Sequence, residues 1–406
     1  MTEQMNVPKL RFGGFSGGLL VTRLSEIINK LESGVSVNSE DVPPNSNQNG
    51  VLKTSAIYAG SFNPEQAKVI TDSSELQRAR LNPKKDSIII SRMNTPALVG
   101  ESGYISKDYP NLFIPDRLWQ ATVSSQHCAR WLSFLLTSPR TRFIISSKGT
   151  GTSNSMKNIS KPSFLSIDAV TPTLPEQQKI AAFLSKVDEK IGLLSEKKDK
   201  LTEYKRGVMQ QLFNGKWHEQ DGQLTFVPPT LRFKADDGSE FPDWEEKTLG
   251  ELTHSIKSGK SIASVEGPID LWGSTGKIGY TNEPSHDGHF ILVARVGANA
   301  GKINEVEGKF GVSDNTLVID VKKKHHLHFI KASLLKFDLN RLIFGSGQPL
   351  ITGGALKTHK MIVPSLEEQT QIASFLSAID RKLDLTNSEL NKAKEWKKGL
   401  LQQMFV

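Results

Sequence analysis

One long pattern of apolar positions occurs twice in this chain. Positions 180, 184, 187, 191, 194, 198, 201, 205, 208 and 212 read Ile, Leu, Val, Ile, Leu, Lys, Leu, Lys, Val and Leu. From Ile372 the same steps of four and three read Ile, Leu, Ile, Leu, Thr, Leu, Ala, Lys, Leu and Met. Apolar a and d positions sustained in this way predict two helices with a coiled-coil seam. Pro172 and Pro175 bound the first helix, Glu176 complements its dipole, and Asn214-Gly215 closes it. A helix of about 38 residues spans roughly 57 Å. With only two such helices, the economical solution is that they pack on each other, antiparallel if a pseudo-two-fold axis relates the halves. Lys198, Lys205 and Lys397 interrupt the seam and point to a shared or solvated stretch.

The two patterns are copies. Leu174–Phe213 aligns without a gap on Leu366–Phe405, with 18 of 40 positions identical. The identities include Gln177, Lys190, Lys200, Gln210 and Gln211, expected to be exposed, which asks for more than a shared core. The repeat extends upstream. VPKLRF at Val7 answers VPPTLRF at Val227, and RLSEIINKLESGVS at Arg23 answers TLGELTHSIKSGKS at Thr248. From Leu24 to Ile180 is 156 positions and from Leu249 to Ile372 is 123, so the first half carries 33 more. This is a tandem repeat of a variable module followed by a fixed helix.

Each variable module reads as mixed α and β, so the fold class is α+β. SIIIS (Ser87–Ser91) and FILVA (Phe290–Ala294) have the unbroken apolar character of buried strands. Ala129–Leu136 and Phe329–Phe344 have helical periodicity. Polar, Gly-rich loops follow both helices, at Ser146–Asn158 and Gly345–Lys357. Fragments correspond between the modules: SIIISR with FILVAR, and RFII at Arg142 with RLIF at Arg341.

Composition fits a soluble globular protein, with 37% hydrophobic and 23% charged residues, and 406 residues suffice for two or three domains. The net charge of +8 permits a polyanionic partner without proving one. Cys128 is the single cysteine, which excludes an internal disulfide and a Cys-based zinc site; it reads as a small buried residue. No apolar leader and no run of 18 apolar residues occurs, so no membrane partner is expected and the expected location is cytoplasmic.

The search for a catalytic constellation fails. GANAGKI (Gly297–Ile303) is one residue short of a phosphate-binding loop, with Ile303 where a Ser or Thr belongs. The Asn-Pro pairs at Asn63 and Asn82 lack the second proline and aromatic of an amino-methyltransferase. PDWEEK at Pro242 crowds the letters of a nuclease motif into six residues and reads as a turn. His325, His326 and His328 have no acidic or Cys companion nearby in sequence and read as surface histidines.

Two variable modules alternating with two copies of a helix opened by EQQKIAAFLSKVDEK (Glu176) and EQTQIASFLSAIDRK (Glu368) resemble the specificity subunit of Type I restriction-modification enzymes. FPDWEEKTLGEL, ARVGANAGKI, VSDNTLVI and KKGLLQQMF add to the likeness, which covers essentially the whole chain. The resemblance implies two target recognition domains, 1–173 and 215–364, alternating with two long antiparallel coiled-coil helices, 174–214 and 365–406, in a pseudo-two-fold tandem repeat. It implies that each domain reads half of a split site in double-stranded DNA while the helices set the unread gap. It also implies docking of two methyltransferase subunits, with motor/nuclease subunits completing the enzyme. Adenine methylation and ATP-driven cleavage would then belong to those partners, and this chain would need no cofactor, no metal and no catalytic residue. Half-sites about one helical turn apart, roughly 34 Å, fit within such a helix pair.

Candidate DNA-contacting residues follow from the arginines after the strands and from the polar loops. In the first module they are Arg92, Arg142, Lys148, Thr150, Ser153, Asn154 and Lys157. In the second they are Lys277, Arg295, Asn299, Lys302, Arg341, Ser346, Gln348 and Lys357. The first module departs from the pattern of the second, with Arg92-Met-Asn-Thr-Pro where the second has Arg295-Val-Gly. The competing reading is a scaffold that assembles partners through its paired helices without touching DNA; steep salt dependence of binding separates the two.

Overall fold

The computed structural model describes residues 7–151, 156–220, 222–343 and 349–405. Its contacts divide the chain into two units, 1–195 with 389–406, and 196–388.

The first unit opens with strand β1 (Leu20–Arg23), a single helical turn α1 (Leu24–Ile27) and strand β2 (Ile28–Ser33). Its central sheet adds β3 (Ser87–Ser91), β4 (Ser102–Tyr104) and β5 (Leu118–Val123), in the antiparallel order β2-β5-β3-β4. All five residues of β3 are buried, as its unbroken apolar run requires. Helix α2 (Ala129–Thr137) covers the sheet, and β6 (Asp168–Thr171) pairs back onto β1 before the long helix α3 (Leu174–Leu212) begins. The extra length of this half includes a small three-stranded sheet, from Gly50–Leu52, Ala67–Val69 and Leu112–Phe113, with its own apolar cluster.

The second unit repeats the plan. Strand β7 (Glu245–Thr248), the turn α4 (Leu249–Leu252) and strand β8 (Thr253–Ser258) are followed by β9 (His286–Ala294), β10 (Ile303–Val312) and β11 (Thr316–Val321). The order β8-β11-β9-β10 matches the first sheet, and a hairpin of Ile269–Gly273 and Gly276–Thr281 extends its edge. Helix α5 (Leu327–Phe337) covers the sheet, and β12 (Lys360–Val363) pairs with β7 ahead of the second long helix α6 (Leu366–Met404). The expected helix over Phe329–Phe344 stops at Phe337. Asp338 takes a left-handed backbone (φ 64°), and its carboxylate accepts the Asn340 N–H to start a separate 3-10 turn.

In each unit the core joins the sheet and its helix to both long helices. Trp119, Trp131 and Phe164 pack with Ile180, Leu184 and Val187 of α3 and with Leu400, Leu401 and Met404 of α6. Ile291, Ile319 and Phe329 pack with Val208 and Leu212 of α3 and with Ile372, Leu376 and Ile379 of α6. Within each unit the helix segments therefore run antiparallel, with the early part of one against the late part of the other. The seam lysines meet polar groups across the pair. Lys397 Nζ lies 2.6 Å from Asp188, and at the equivalent positions of the other unit Lys205 Nζ lies 2.5 Å from Asp380. Lys198 donates to Asn387 Oδ1 at 3.1 Å.

The Glu-Gln pair that opens each long helix is a clamp. Gln177 is buried, contrary to the expectation that it faces solvent: its Nε2 donates to Pro172 O (2.9 Å) and its Oε1 accepts the Cys128 N–H at the start of α2 (2.9 Å). Gln369 repeats this with Pro364 O (2.8 Å) and the His326 N–H (2.9 Å). Glu176 receives Arg11 through both oxygens (2.7 and 2.8 Å), and Glu368 receives Arg232 (3.0 and 3.1 Å). The repeated Ser-Gly after the second strand of each unit has a local cause as well. A Cβ on Gly34 would stand 1.5 Å from Ile114 O, and one on Gly259 would stand 2.1 Å from Val312 O.

His325, beside Gln369, is held neutral: burial and then Lys247, Lys324 and Lys322 push its pKa from 6.5 down to about 4, opposed by Glu245. A neutral folded histidine makes the unfolded chain bind more protons between these values. Its contribution is complete above about pH 6.5 and is lost as pH falls toward 4. Melting curves from pH 8 to 4 should show His325→Asn losing less stability below pH 6.5 than the parent. After allowance for solvent screening the difference is on the order of 1 kcal/mol. Parallel curves would refute it.

Candidate nucleic-acid interface

Arg92 follows β3 and Arg295 follows β9, at equivalent positions of the repeat. Their backbones are pinned identically. The Arg92 N–H donates to Arg117 O (3.1 Å) and its carbonyl accepts the Ile159 N–H (2.9 Å). The Arg295 N–H donates to Asn315 O (3.0 Å) and its carbonyl accepts the Ile351 N–H (2.8 Å). Ile159 lies just past the polar loop of the first module and Ile351 lies within that of the second, so in each unit the strand end is tied to the polar segment. Both arginines have a buried Nε without a hydrogen-bond partner among the described residues. An unpaired buried donor costs about 1–3 kcal/mol, and this fold carries that cost at both equivalent sites.

In the first unit, Met93–Asn94 pairs with Lys157–Asn158, and Thr150 exchanges two backbone hydrogen bonds with Asn158 (2.9 and 2.8 Å). These pairings bring Arg92, Thr150 and Lys157 onto one patch. Lys148 caps the C-terminus of the helix Pro139–Ser147, its Nζ 3.5 Å from Ser166 Oγ. Arg142 is engaged internally. It donates to Val99 O (3.0 Å) and Ala97 O (3.2 Å) and pairs with Glu101 (3.3 Å). Burial lowers its pKa against the pull of Glu101, and its role is to hold the loop after β3. Ser153 and Asn154 lie outside the described residues.

In the second unit, Asn299 closes the 3-10 turn Gly297–Asn299, Gly297 donates to Pro349 O (3.1 Å), and Lys302 Nζ reaches Thr275 O (3.2 Å). A Cβ on Gly301 (φ 87°) would meet Asn340 at 3.2 Å, so this turn lies against the one that carries Arg341. Arg295, Asn299, Lys302 and Arg341 are thus gathered. Strand β10 follows this turn where a phosphate-binding loop requires a helix, which removes the P-loop reading. Lys277 is paired with Asp270 (2.7 Å) on the edge hairpin. The Lys357 carbonyl lies against Gly250, and no hydrogen bond joins Lys357 to the Arg295 group among the described residues. Ser346 and Gln348 lie outside the described residues.

Sequence reasoning passed over two features. The letters of a nucleophile elbow, Gly14-Phe-Ser-Gly-Gly18, occur in irregular chain ahead of β1 and not at a strand-to-helix turn, so they carry no hydrolase site. An open cleft of about 970 Å³ in the first unit is lined by Arg130, Arg142, Lys394, Lys397 and Lys398, with Glu101 and Asp188 as its acids. Its cations come from α2, from the helix Pro139–Ser147 and from α6, the last more than 250 positions from the others, and no sequence window shows them together.

The family model described as Type I restriction modification DNA specificity domain matches the chain twice, over residues 20–203 and 242–395. The chain belongs to this family. Each of its two specificity domains begins at or just before the strand that pairs with the one ahead of a long helix, β1 or β7, and runs into that helix. The specificity subunit of the Type I restriction enzyme EcoprrI from Escherichia coli is 31% identical over 166 residues, 39% of this chain and 39% of that one. The MjaVIII specificity subunit from Methanocaldococcus jannaschii is 26% identical over 292 residues, 64% of this chain and 65% of that one. The alignments thus span less than two thirds of either relative. The S subunit of a Type I restriction-modification system from M. genitalium shares the fold, with a TM-score of 0.67 over 98% of this chain and 99% of that one at 17% identity. Among the described residues no helix is long and apolar enough to cross a membrane.

Proposed function

We propose that this chain is the non-catalytic, sequence-reading subunit of a Type I restriction-modification complex, each unit reading one half of a bipartite, gapped site in double-stranded DNA. The observation that carries this is the duplicated arginine: Arg92 and Arg295 stand at the same strand end, pinned by equivalent backbone bonds, with the same buried Nε left without a partner among the described residues. Both residues are partly exposed, so the outer end of each guanidinium meets a phosphate or base edge. The surrounding Thr150, Lys157, Asn299 and Lys302 contact phosphates or base edges. The helix pair sets the unread gap. The repeated exposed positions, Lys190 with Lys382 and Gln210 with Gln402, form two equivalent surfaces for two methyltransferase subunits, and motor/nuclease subunits join the assembly.

The test is modification-sensitive sequencing of the host genome with and without the gene. Loss of N6-methyladenine at one two-part motif supports the reading. An unchanged map from a host whose methyltransferase is active refutes it.

A finer expectation separates the arginines. Arg295→Ala should weaken binding to the cognate site by on the order of 1–3 kcal/mol without lowering the melting temperature, since it also removes an unpaired buried donor. Arg142→Ala should lower the melting temperature instead, because it releases Glu101 and two carbonyls. Electrophoretic titration beside thermal melting reads both; equal effects on both properties by both variants would contradict the division.

A further inference from the structure

His289 on β9, Glu305 on β10 and His328 on α5 converge in the second unit. His289 Nε2 lies 2.6 Å from Glu305 Oε1, and His328 Nδ1 lies 3.2 Å from the same carboxylate. The three candidate donor atoms fall within 4.8 Å of one another, and all three residues are half-buried. Tetrahedral nitrogen and oxygen ligands at zinc's usual bond lengths stand about 3.3 Å apart, so small side-chain shifts enclose an ion. His326 adjoins the group, its ring 5.5 Å from that of His328, with Nδ1 buried and without a partner among the described residues.

The same three backbone positions in the first unit hold different chemistry. Tyr104 pairs with Ile88 as Glu305 pairs with Ile291, Asp86 precedes Ile88 as His289 precedes Ile291, and Arg130 and His328 are each the second residue of their helix. There the Tyr104 hydroxyl donates to Asp86, and Arg130 lies 4.9 Å over the Tyr104 ring. That arrangement joins two strands to a helix without a metal-binding nitrogen. The second unit joins them with two imidazoles and a carboxylate.

We infer that His289, Glu305 and His328 form a binding site for one transition-metal ion of the zinc class, with water or His326 completing the shell. Two imidazoles and one carboxylate are a common three-ligand set for zinc. Lys331, whose Nζ lies 2.9 Å from Glu305 Oε2, competes with the ion for the carboxylate; it is partly exposed and has room to swing away. The ion would tie β9 and β10 to α5, the helix that leads into the Arg341 turn.

The experiment is calorimetric titration of ZnCl₂ into the metal-free full chain, with thermal melting at each zinc level. One equivalent should bind and raise the melting temperature. Glu305→Gln and His328→Ala should each weaken binding at least about tenfold and remove the thermal shift. Lys331→Gln should tighten binding, whereas Tyr104→Phe in the first unit should leave it unchanged. Circular dichroism of each metal-free variant establishes folding, with His289→Gln standing in for any that fails. No saturable binding to the parent would overturn the inference. So would binding that survives both Glu305→Gln and His328→Ala, since the ion would then sit on other histidines.

Discussion

Glu368→Ala should destabilise the second unit by about 3–5 kcal/mol, the usual cost of removing one partner from a buried ion pair. The Glu368 side chain is fully buried (0% exposed) and accepts Arg232 Nε at 3.0 Å, Arg232 Nη2 at 3.1 Å and the Trp244 indole N–H at 3.2 Å. Truncation leaves the guanidinium, 14% exposed, with only the backbone carbonyls of Phe241 and Pro242 and the outlying Asp243. The indole N–H loses its partner as well. Glu368→Gln should cost less, since it keeps an acceptor and loses the charge. Glu176→Ala should also cost less, because Arg11 is 20% exposed and can turn to water. Arg232→Met combined with Glu368→Leu should recover most of the loss, because a matched apolar pair leaves no charge behind. Urea unfolding measures all four. A loss below 1 kcal/mol for Glu368→Ala would show that the pair contributes little.

Insertion of seven residues after Leu194, matched by seven after Thr386, should abolish modification of the original site and create modification at one with a longer gap. The two insertion points are equivalent in the repeat, and both long helices run without a break through the points where the units divide. Seven residues keep the a/d seam in register and add about 10 Å to each helix. At 3.4 Å per base pair this is about three base pairs. Both half-sites should keep their sequence, because no residue of either arginine patch is touched. Methylation mapping of cells carrying the variant gives the answer. A changed half-site beside an unchanged gap would refute the proposal that the helices measure distance.

The long helices were legible because a heptad pattern is local: each seam position announces itself within seven residues. The buried strands at Ser87–Ser91 and Phe290–Ala294 were legible for the same reason, as short unbroken apolar runs. What failed depended on contacts distant in sequence. Gln177 read as a surface residue because its partners, Cys128 N–H and Pro172 O, are supplied by the folded module. Arg142 read as a DNA contact because nothing nearby reveals Glu101 and the Val99 carbonyl. His328 read as companionless because Glu305 reaches it from a strand more than 20 positions earlier. The equivalence of Arg92 and Arg295 was legible for a different reason. The repeat placed both after the same strand, and the structure gives both the same backbone partners.

The paired clamps at Glu176–Gln177 and Glu368–Gln369 also bear on how such a chain can change over evolutionary time. To seat on either long helix, a module must offer one arginine, one free N–H at the start of its covering helix and one carbonyl just ahead of the long helix. This is a short list of demands, and it works like a standard socket. Beyond these fittings and the apolar side chains that pack on the long helices, the module's loops and the surroundings of its strand ends are left free to drift. A foreign module bearing the same three fittings would seat in one step, and a new specificity could arise by recombination without rebuilding the helices.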